Sequence, residues 1–286
     1  MTILGTGILR TVGPPRYGRQ DLGYSPGGAQ DRFSWQSGNI LVGNDPTAEA
    51  WEIITPPRGV RFTVAGWAVC TGGGISGYTE PEGISIVSGR PFSVHPGSAV
   101  RFRKRRYGQR TYLCFRPAPG FSSSVEPPRE RGPFTQVASW APDFGTLRVL
   151  TGPEFSYLVE PQELFAEPWI TTSQMSDMGV RLQRPVPQKT IGIKTYPHGQ
   201  MISSPVCDGT VQLSPHGPIV LLRERQTVGG YPRILTVIDP DVDMLAQYGP
   251  HQMIRFVPVS VEEAEEIACR QRKDLETLQQ SRHRER

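Results

Sequence analysis

The chain has 286 residues with 31 glycines, 28 prolines, a hydrophobic fraction of 37% and a formal net charge of +4. That length supports one large or two medium domains, each with its own core, and the glycine and proline content suits many short strands joined by turns. No apolar run approaches the roughly eighteen residues of a membrane span, and Met1-Thr2-Ile3-Leu4-Gly5 lacks the charged start and apolar core of a leader, so a cytoplasmic protein with no membrane partner is expected.

Gly7 to Val12 reads as a strand, followed by a loop rich in glycine and proline from Gly13 to Gly28. Asp31 then caps a short helix with Phe33, Ser37, Ile40 and Leu41 on one face and Gly43 at its end. Two motif matches in this half fail on physical grounds. Gly23-Tyr24-Ser25-Pro26-Gly27 fits a nucleophile elbow, but the residue after the serine must offer an N–H to the oxyanion and Pro26 has none. Gly72-Gly73-Gly74-Ile75-Ser76-Gly77 fits a dinucleotide fingerprint, yet the Tyr78-Thr79-Glu80-Pro81-Glu82-Gly83 that follows cannot start the helix a pyrophosphate needs, so it reads as a turn between strands.

Basic residues concentrate in Arg101-Phe102-Arg103-Lys104-Arg105-Arg106 and in the final Ser281-Arg282-His283-Arg284-Glu285-Arg286. The first group reads as the solvated tip of a hairpin whose second strand is Thr111 to Phe115. A nucleic-acid surface needs a broader basic stripe with stacking aromatics, so nucleic acid is not expected as a partner. Cys70, Cys114, Cys207 and Cys269 lack C-x-x-C spacing, which predicts reduced thiols and no metal site.

From Arg116 to Gly145, six prolines and three consecutive serines mark a connection, placed at 121–145 between a first domain at 1–120 and a second at 146–270. The second half opens with the strand Leu147 to Leu150 and a helical stretch around Glu154 to Leu164. Strands then recur to Pro218, with Asp208-Gly209 and Pro215-His216-Gly217 as turns. Asp239-Pro240 begins a short helix ended by Gly249-Pro250, and Met253 to Val257 is a closing strand. Ser260-Val261-Glu262-Glu263 is a capping box for a last helix with Val261, Ala264, Ile267 and Ala268 on its face, and 271–286 is a charged tail expected to fray.

The stretch Pro218 to Ile238 carries the most chemistry. Ile219–Leu222 and Ile234–Ile238 flank Arg223-Glu224-Arg225-Gln226-Thr227 and Gly229-Gly230-Tyr231-Pro232, which reads as buried strand, turn, buried strand. Arg225 offers a planar fork for a carboxylate or phosphate, Gln226 and Thr227 are neutral hydrogen-bonders, and Gly229 and Gly230 supply permissive backbone. Together with Arg181, Ser203, Ser204, Gln212 and Tyr231 on strand ends, they form a candidate pocket for a small carboxylate or amide, with Arg181 or Arg225 pairing the charge. The competing reading is a hairpin with a charged turn, in which Arg225 bridges Glu224 or Asp177 at the surface and Tyr231 packs in a barrel. No catalytic triad, metal cluster or phosphate loop can be assembled from the motifs.

Arg225-Gln226-Thr227-Val228-Gly229-Gly230-Tyr231-Pro232, Met178-Gly179-Val180-Arg181-Leu182, Gly209 to Pro215 and Ile254-Arg255-Phe256 resemble the allophanate hydrolase subunit 2 family, also called biotin-dependent carboxyltransferase-like. The resemblance runs from about Gly7 to Ala264 and is more specific in the second half. With the strand-and-turn spacing, it implies a mainly β chain of two cyclophilin-like β-barrel domains with a few short helices. It also implies a subunit of a 5-oxoprolinase-type, ATP-dependent amide hydrolase or of a biotin-dependent carboxyltransferase. The expected partner is a companion subunit of the allophanate hydrolase subunit 1 type, and the substrate a small amide or carboxylate. ATP would serve the assembled complex. Biotin would come only on another chain, because this one lacks the M-K-M-type lysine. The alternative is a non-enzymatic regulator that binds the companion subunit or a kinase inhibitor.

Three departures accompany the resemblance. Gly13-Pro14-Pro15 and Gly27-Gly28-Ala29-Gln30-Asp31 replace the family's early loop motifs, and the family's longer glycine-rich element is absent between Arg116 and Gly145. Where the family reads S-D-R-M-G-Y-R-L, this chain has Met175-Ser176-Asp177-Met178-Gly179-Val180-Arg181-Leu182, placing a carboxylate at an arginine and valine at an aromatic. With no complete set of nucleophile, base and oxyanion donors, the chain is expected to be inactive alone and to work in a hetero-oligomer.

Overall fold

The computed structural model describes residues 1–118, 145–185, 191–194 and 201–283. All but the last residue of the connection expected at 121–145 lies outside them. The chain divides into two compact units, one of Met1–Pro14, Asp31–Ala141 and Gln271–Arg286, the other of Pro15–Gln30 and Pro142–Arg270. Residues 15–30 therefore belong with the second half of the chain, although they lie within the expected first domain. No helix among the described residues is long and apolar enough to cross a membrane.

In the first unit, β1 (Thr2–Leu4), β4 (Gly59–Arg61), β9 (Ala99–Arg105), β6 (Ile75–Glu80) and β7 (Ser85–Ile86) form one five-stranded sheet. The other joins β2 (Ile8–Val12), β3 (Ala50–Thr55), β10 (Thr111–Pro117), β5 (Gly66–Gly72) and β8 (Phe92–Val94). Alternating Val60, Phe62, Ala68, Cys70, Val100 and Leu113 fill the core of this unit. Burial of Cys70 pushes its thiol up to about 12, so it stays protonated and unreactive. Helix α1 (Arg32–Val42) forms as expected: the Asp31 carboxylate accepts from Ser34 N and Gly43 closes the helix in the left-handed region. It packs on β5 and β10 through Gly38, where a Cβ would lie 2.7 Å from Cys114 Sγ and Thr71 Oγ1.

The hairpin expected at 100–115 is corrected by the topology. β9 pairs with β4 and β6 while β10 pairs with β3 and β5, so these consecutive strands lie in different sheets. Three arginines of the basic run are engaged locally. Arg101 Nε meets Glu80 Oε2 at 2.7 Å, Arg103 lies 4.8 Å over the Tyr78 ring, and Arg105 donates to the carbonyls of Ile53 and Ile54. Burial, and secondarily the charge of Arg110, lowers the Arg105 guanidinium to about 10.

The second unit is a closed barrel of β11 (Thr146–Thr151), β18 (Arg233–Val237), β15 (Thr210–Ser214), β16 (Gly217–Leu221), β13 (Gly179–Gln183), β12 (Trp169–Ser176) and β19 (Met253–Pro258), in that order. A parallel β11–β19 pairing closes the ring and leaves no free edge. Val149, Val180, Leu182, Val211, Leu213, Val220, Leu235 and Phe256 fill it. Val180, at the family's aromatic position, is one of these fully buried residues. The short α2 (Glu163–Ala166) precedes β12. Helix α3 (Asp239–Leu245) is fastened to β11 by the Arg148 fork on Asp241, with Nε to Oδ2 at 3.0 Å. A two-stranded ribbon, β14 (Ser204–Pro205) with β17 (Val228–Gly229), lies outside the barrel order.

The two apolar runs of Pro218 to Ile238 become β16 and β18, but they do not pair: β15 lies between them and pairs with both. Residues 222–232 are therefore a crossover past β15 rather than the turn of a hairpin. Helix α4 runs from Val261 to His283, well into the 271–286 tail that was expected to fray. Its capping box is formed by Ser260 N to Glu263 Oε2 at 2.7 Å and Glu263 N to Ser260 Oγ at 3.1 Å. Strong helix formers, a Glu266–Arg270 pair one turn apart and the buried Leu278 continue it.

Candidate functional site

Strand register builds the floor of a cleft. Arg181 on β13 stands opposite Ile219 on β16, and Ile219 stands opposite Gln212 on β15, so the three form a row across adjacent strands. Their neighbours Val180, Leu182, Val220, Val211 and Leu213 point into the barrel. With a period of two, the row must point outward. The polar groups thus gather on the barrel's outer wall and not at strand ends. The crossover covers them, and Gln226, Gly229, Gly230 and Tyr231 complete a cleft of about 460 Å³ with Met175, Met178 and Leu221 as apolar wall.

Arg181 is held without being neutralised. Its Nη1 donates to Ser214 Oγ at 3.1 Å, and it has no carboxylate partner among the described residues. The Ser214 hydroxyl donates its proton to Gly217 O at 2.8 Å, so a lone pair is left to receive the guanidinium. Beside it the amides are linked: Gln226 Nε2 donates to Gln212 Oε1 at 3.1 Å, and Gln212 Nε2 donates to Tyr231 O at 3.4 Å.

The start of the crossover is anchored by a buried ionic cluster. Arg223, fully buried, contacts Asp208 and Asp239 at 3.0 Å and Asp243 at 2.6 Å, and its Nε donates to Gln30 O. Burial alone would lower the Arg223 pKa, but the charges of Asp243, Asp239 and Asp208 outweigh it and hold the guanidinium above its ordinary value. Arg225 shares Asp208, with Nε to Oδ1 at 2.9 Å, and also donates to Gln226 O. Segment 15–30 ties onto the same place: Ser25 Oγ donates to Arg225 O at 2.6 Å and Gly27 N to Arg223 O at 2.9 Å. The serine of the rejected nucleophile motif is thus a structural tether.

Of the residues expected in the pocket, Arg181, Gln212, Gln226, Gly229, Gly230 and Tyr231 line the cleft. Arg225, Ser203, Ser204 and Thr227 do not. Arg225 is 4% exposed and turned to Asp208, because the ion pair satisfies a charge that burial would otherwise penalise. Ser204 belongs to β14, where its hydroxyl donates to Ile202 O, and Thr227 serves through its carbonyl, which accepts from Val206 N. The competing reading, a bridge from Arg225 to Glu224 or Asp177, is replaced by the pair with Asp208. Asp177 does not line the cleft; its carbonyl accepts from Glu224 N and Gln30 Nε2. Sequence reasoning missed Ser214, Asp208 and Arg223. Ser214 lies two residues beyond Gln212 on one strand face, a signal that period-two counting could have used.

Among the described residues, no group of three His, Cys, Asp or Glu is placed to hold a metal ion. The family described as carboxyltransferase domain, subdomain A and B, matches residues 22–126 and 120–258. The chain is 28% identical to the C component of the 5-oxoprolinase of Escherichia coli (strain K12), a protein named as a subunit, over 100% of this chain and 99% of that protein. It is 26% identical to the corresponding 5-oxoprolinase component of Haemophilus influenzae, over 88% of each. Among solved structures, K. lactis urea amidolyase superposes with a TM-score of 0.79 at 21% identity, over 96% of this chain but 20% of that one. The last likeness shows the fold alone.

Proposed function

The chain belongs to the carboxyltransferase domain, subdomain A and B, family, and on that premise we propose that it is a subunit of a 5-oxoprolinase-type, ATP-dependent amide hydrolase complex. In this reading it binds a small amide bearing a carboxylate. The observation that carries the reading is Arg181, a guanidinium fixed by a neutral hydroxyl in a cleft that also presents two amides. A planar cation with unused donors suits a carboxylate. Nearly end-to-end similarity to a protein named as a subunit supports assembly with a companion chain.

A triphosphate calls for several cations or a metal-bridged cradle. One guanidinium and two amides do not fit it, so ATP is assigned to the companion chains, and any biotin would arrive on another polypeptide. A cytoplasmic location belongs to the same reading. Arg225, neutralised by Asp208, is not assigned to the substrate. The test is to co-purify the chain with its companion subunit and measure ATP hydrolysis dependent on 5-oxoproline. Activity that requires this chain supports the reading. Turnover of 5-oxoproline by the isolated chain, or an assembled complex that neither binds it nor hydrolyses ATP, would overturn it.

A further inference from the structure

If the cleft takes a small amide bearing a carboxylate, as proposed above, one part of it must recognise the amide, and the hydrogen-bond polarity of the cleft identifies that part. Tyr231 O is a backbone carbonyl and can only accept, so the Gln212 side chain must turn its Nε2 toward it. That choice presents Gln212 Oε1 to Gln226, which must then donate through its own Nε2. The polarity of the chain of amides is therefore set by the backbone, one link at a time. At its end Gln226 Oε1 has no hydrogen-bond partner among the described residues, and Gln226 lines the cleft.

Glycine makes the arrangement possible. A Cβ at Gly229 would collide with Gln212 Nε2, so a side chain at that position would displace this amide. Gln212 is 1% exposed, and a buried amide with one group unpaired is costly, so the relay has little freedom to invert.

We infer that Gln226 is a specificity-determining residue: its Oε1, oriented by Gln212 and Tyr231 O, accepts an N–H from the ligand while Arg181 takes the carboxylate. The cleft then selects compounds that carry a carboxylate and an amide or lactam N–H, and rejects esters and lactones of the same shape. An ester oxygen has no proton to donate, and it would face the Gln226 oxygen lone pair to lone pair.

The experiment measures calorimetric Kd values of two probes on the chain in complex with its companion subunit. One probe is 5-oxoproline, the other the lactone with oxygen in place of the ring N–H. The wild type should prefer the lactam by about tenfold or more, as expected for one hydrogen bond in a partly dry site. Gln226→Leu should bring the two affinities within about twofold, by removing the bond to the lactam and the repulsion of the lactone together. Gly229→Ala, which displaces Gln212 without removing any polar group, should do the same. Arg181→Leu should weaken both probes equally and keep the preference. The ratio of two ligands on one sample does not depend on the folded fraction, so loss of stability cannot imitate the result. Equal wild-type affinities, or a preference untouched by Gln226→Leu and Gly229→Ala, would overturn the relay while leaving the carboxylate site standing. Failure of the wild type to bind either probe would overturn the underlying reading, and the relay with it.

Discussion

Arg181, on a barrel strand, and Arg223, at the start of the crossover, divide the labour according to their surroundings. Arg181 is half-buried in a cleft and bonds the Ser214 hydroxyl, whereas Arg223 is fully buried among Asp208, Asp239 and Asp243. The first keeps its charge available to an incoming anion. The second spends its charge on the crossover that roofs the cleft. Residue type alone does not separate these roles; what separates them is whether neighbouring carboxylates have already neutralised the group.

The comparison breaks most readily at the buried end. Arg223→Leu removes the cation that Asp208, Asp239 and Asp243 share, leaving Arg225 on Asp208, and should cost on the order of 3–5 kcal/mol in urea unfolding. A loss below about 1 kcal/mol would mean that the cluster does not hold the crossover. Asp208→Asn touches both Arg223 and Arg225 but keeps one carbonyl oxygen as acceptor. It should cost about 1–3 kcal/mol by the same measurement, between the deletion of Arg223 and any change at Arg181.

Elements that depend on near neighbours were legible in the sequence. Asp31 and Gly43 bound α1, and Ser260 with Glu263 opens α4, because each cap needs only residues within one turn. Pairing was not legible. β16 and β18 read as a hairpin because they are adjacent apolar runs, but β15 supplies partners to both, and nothing local announces it. The same holds for β9 and β10. Within the site, Arg181, Gln212, Gln226 and Tyr231 could be named from type and position. The fate of Arg225 could not, since Asp208 lies 17 residues away along the chain and only the barrel brings it near. Likewise, the tie of Ser25 to Arg225 spans 200 residues.

A smaller effect sharpens the contrast between fastening and available charges. Arg233 grips Glu154 through Nε at 2.9 Å and Nη2 at 2.6 Å. Partial burial alone would raise the Glu154 carboxyl, but these hydrogen bonds and the Arg233 charge hold it below its ordinary value of 4.5. A depressed carboxylate contributes stability that is fully present above its unfolded pKa and is lost as pH falls through the folded one. Urea midpoints should therefore fall below about pH 4.5 for the wild type. Glu154→Gln, costing about 1 kcal/mol at neutral pH, should show a shallower fall. An unchanged acid limb would show that this pair fastens nothing.

The most direct measurement takes both quantities from the same samples: the Kd for 5-oxoproline on the assembled complex, and the urea midpoint of the chain, for the wild type, Arg181→Leu and Arg225→Leu. Arg181→Leu should weaken binding at least about tenfold while shifting stability by no more than about 0.5 kcal/mol. Arg225→Leu should lower the midpoint and leave the Kd of the folded complex within about threefold. The reverse pattern, with binding lost at Arg225 and kept at Arg181, would contradict the division of charge on which the proposed function rests.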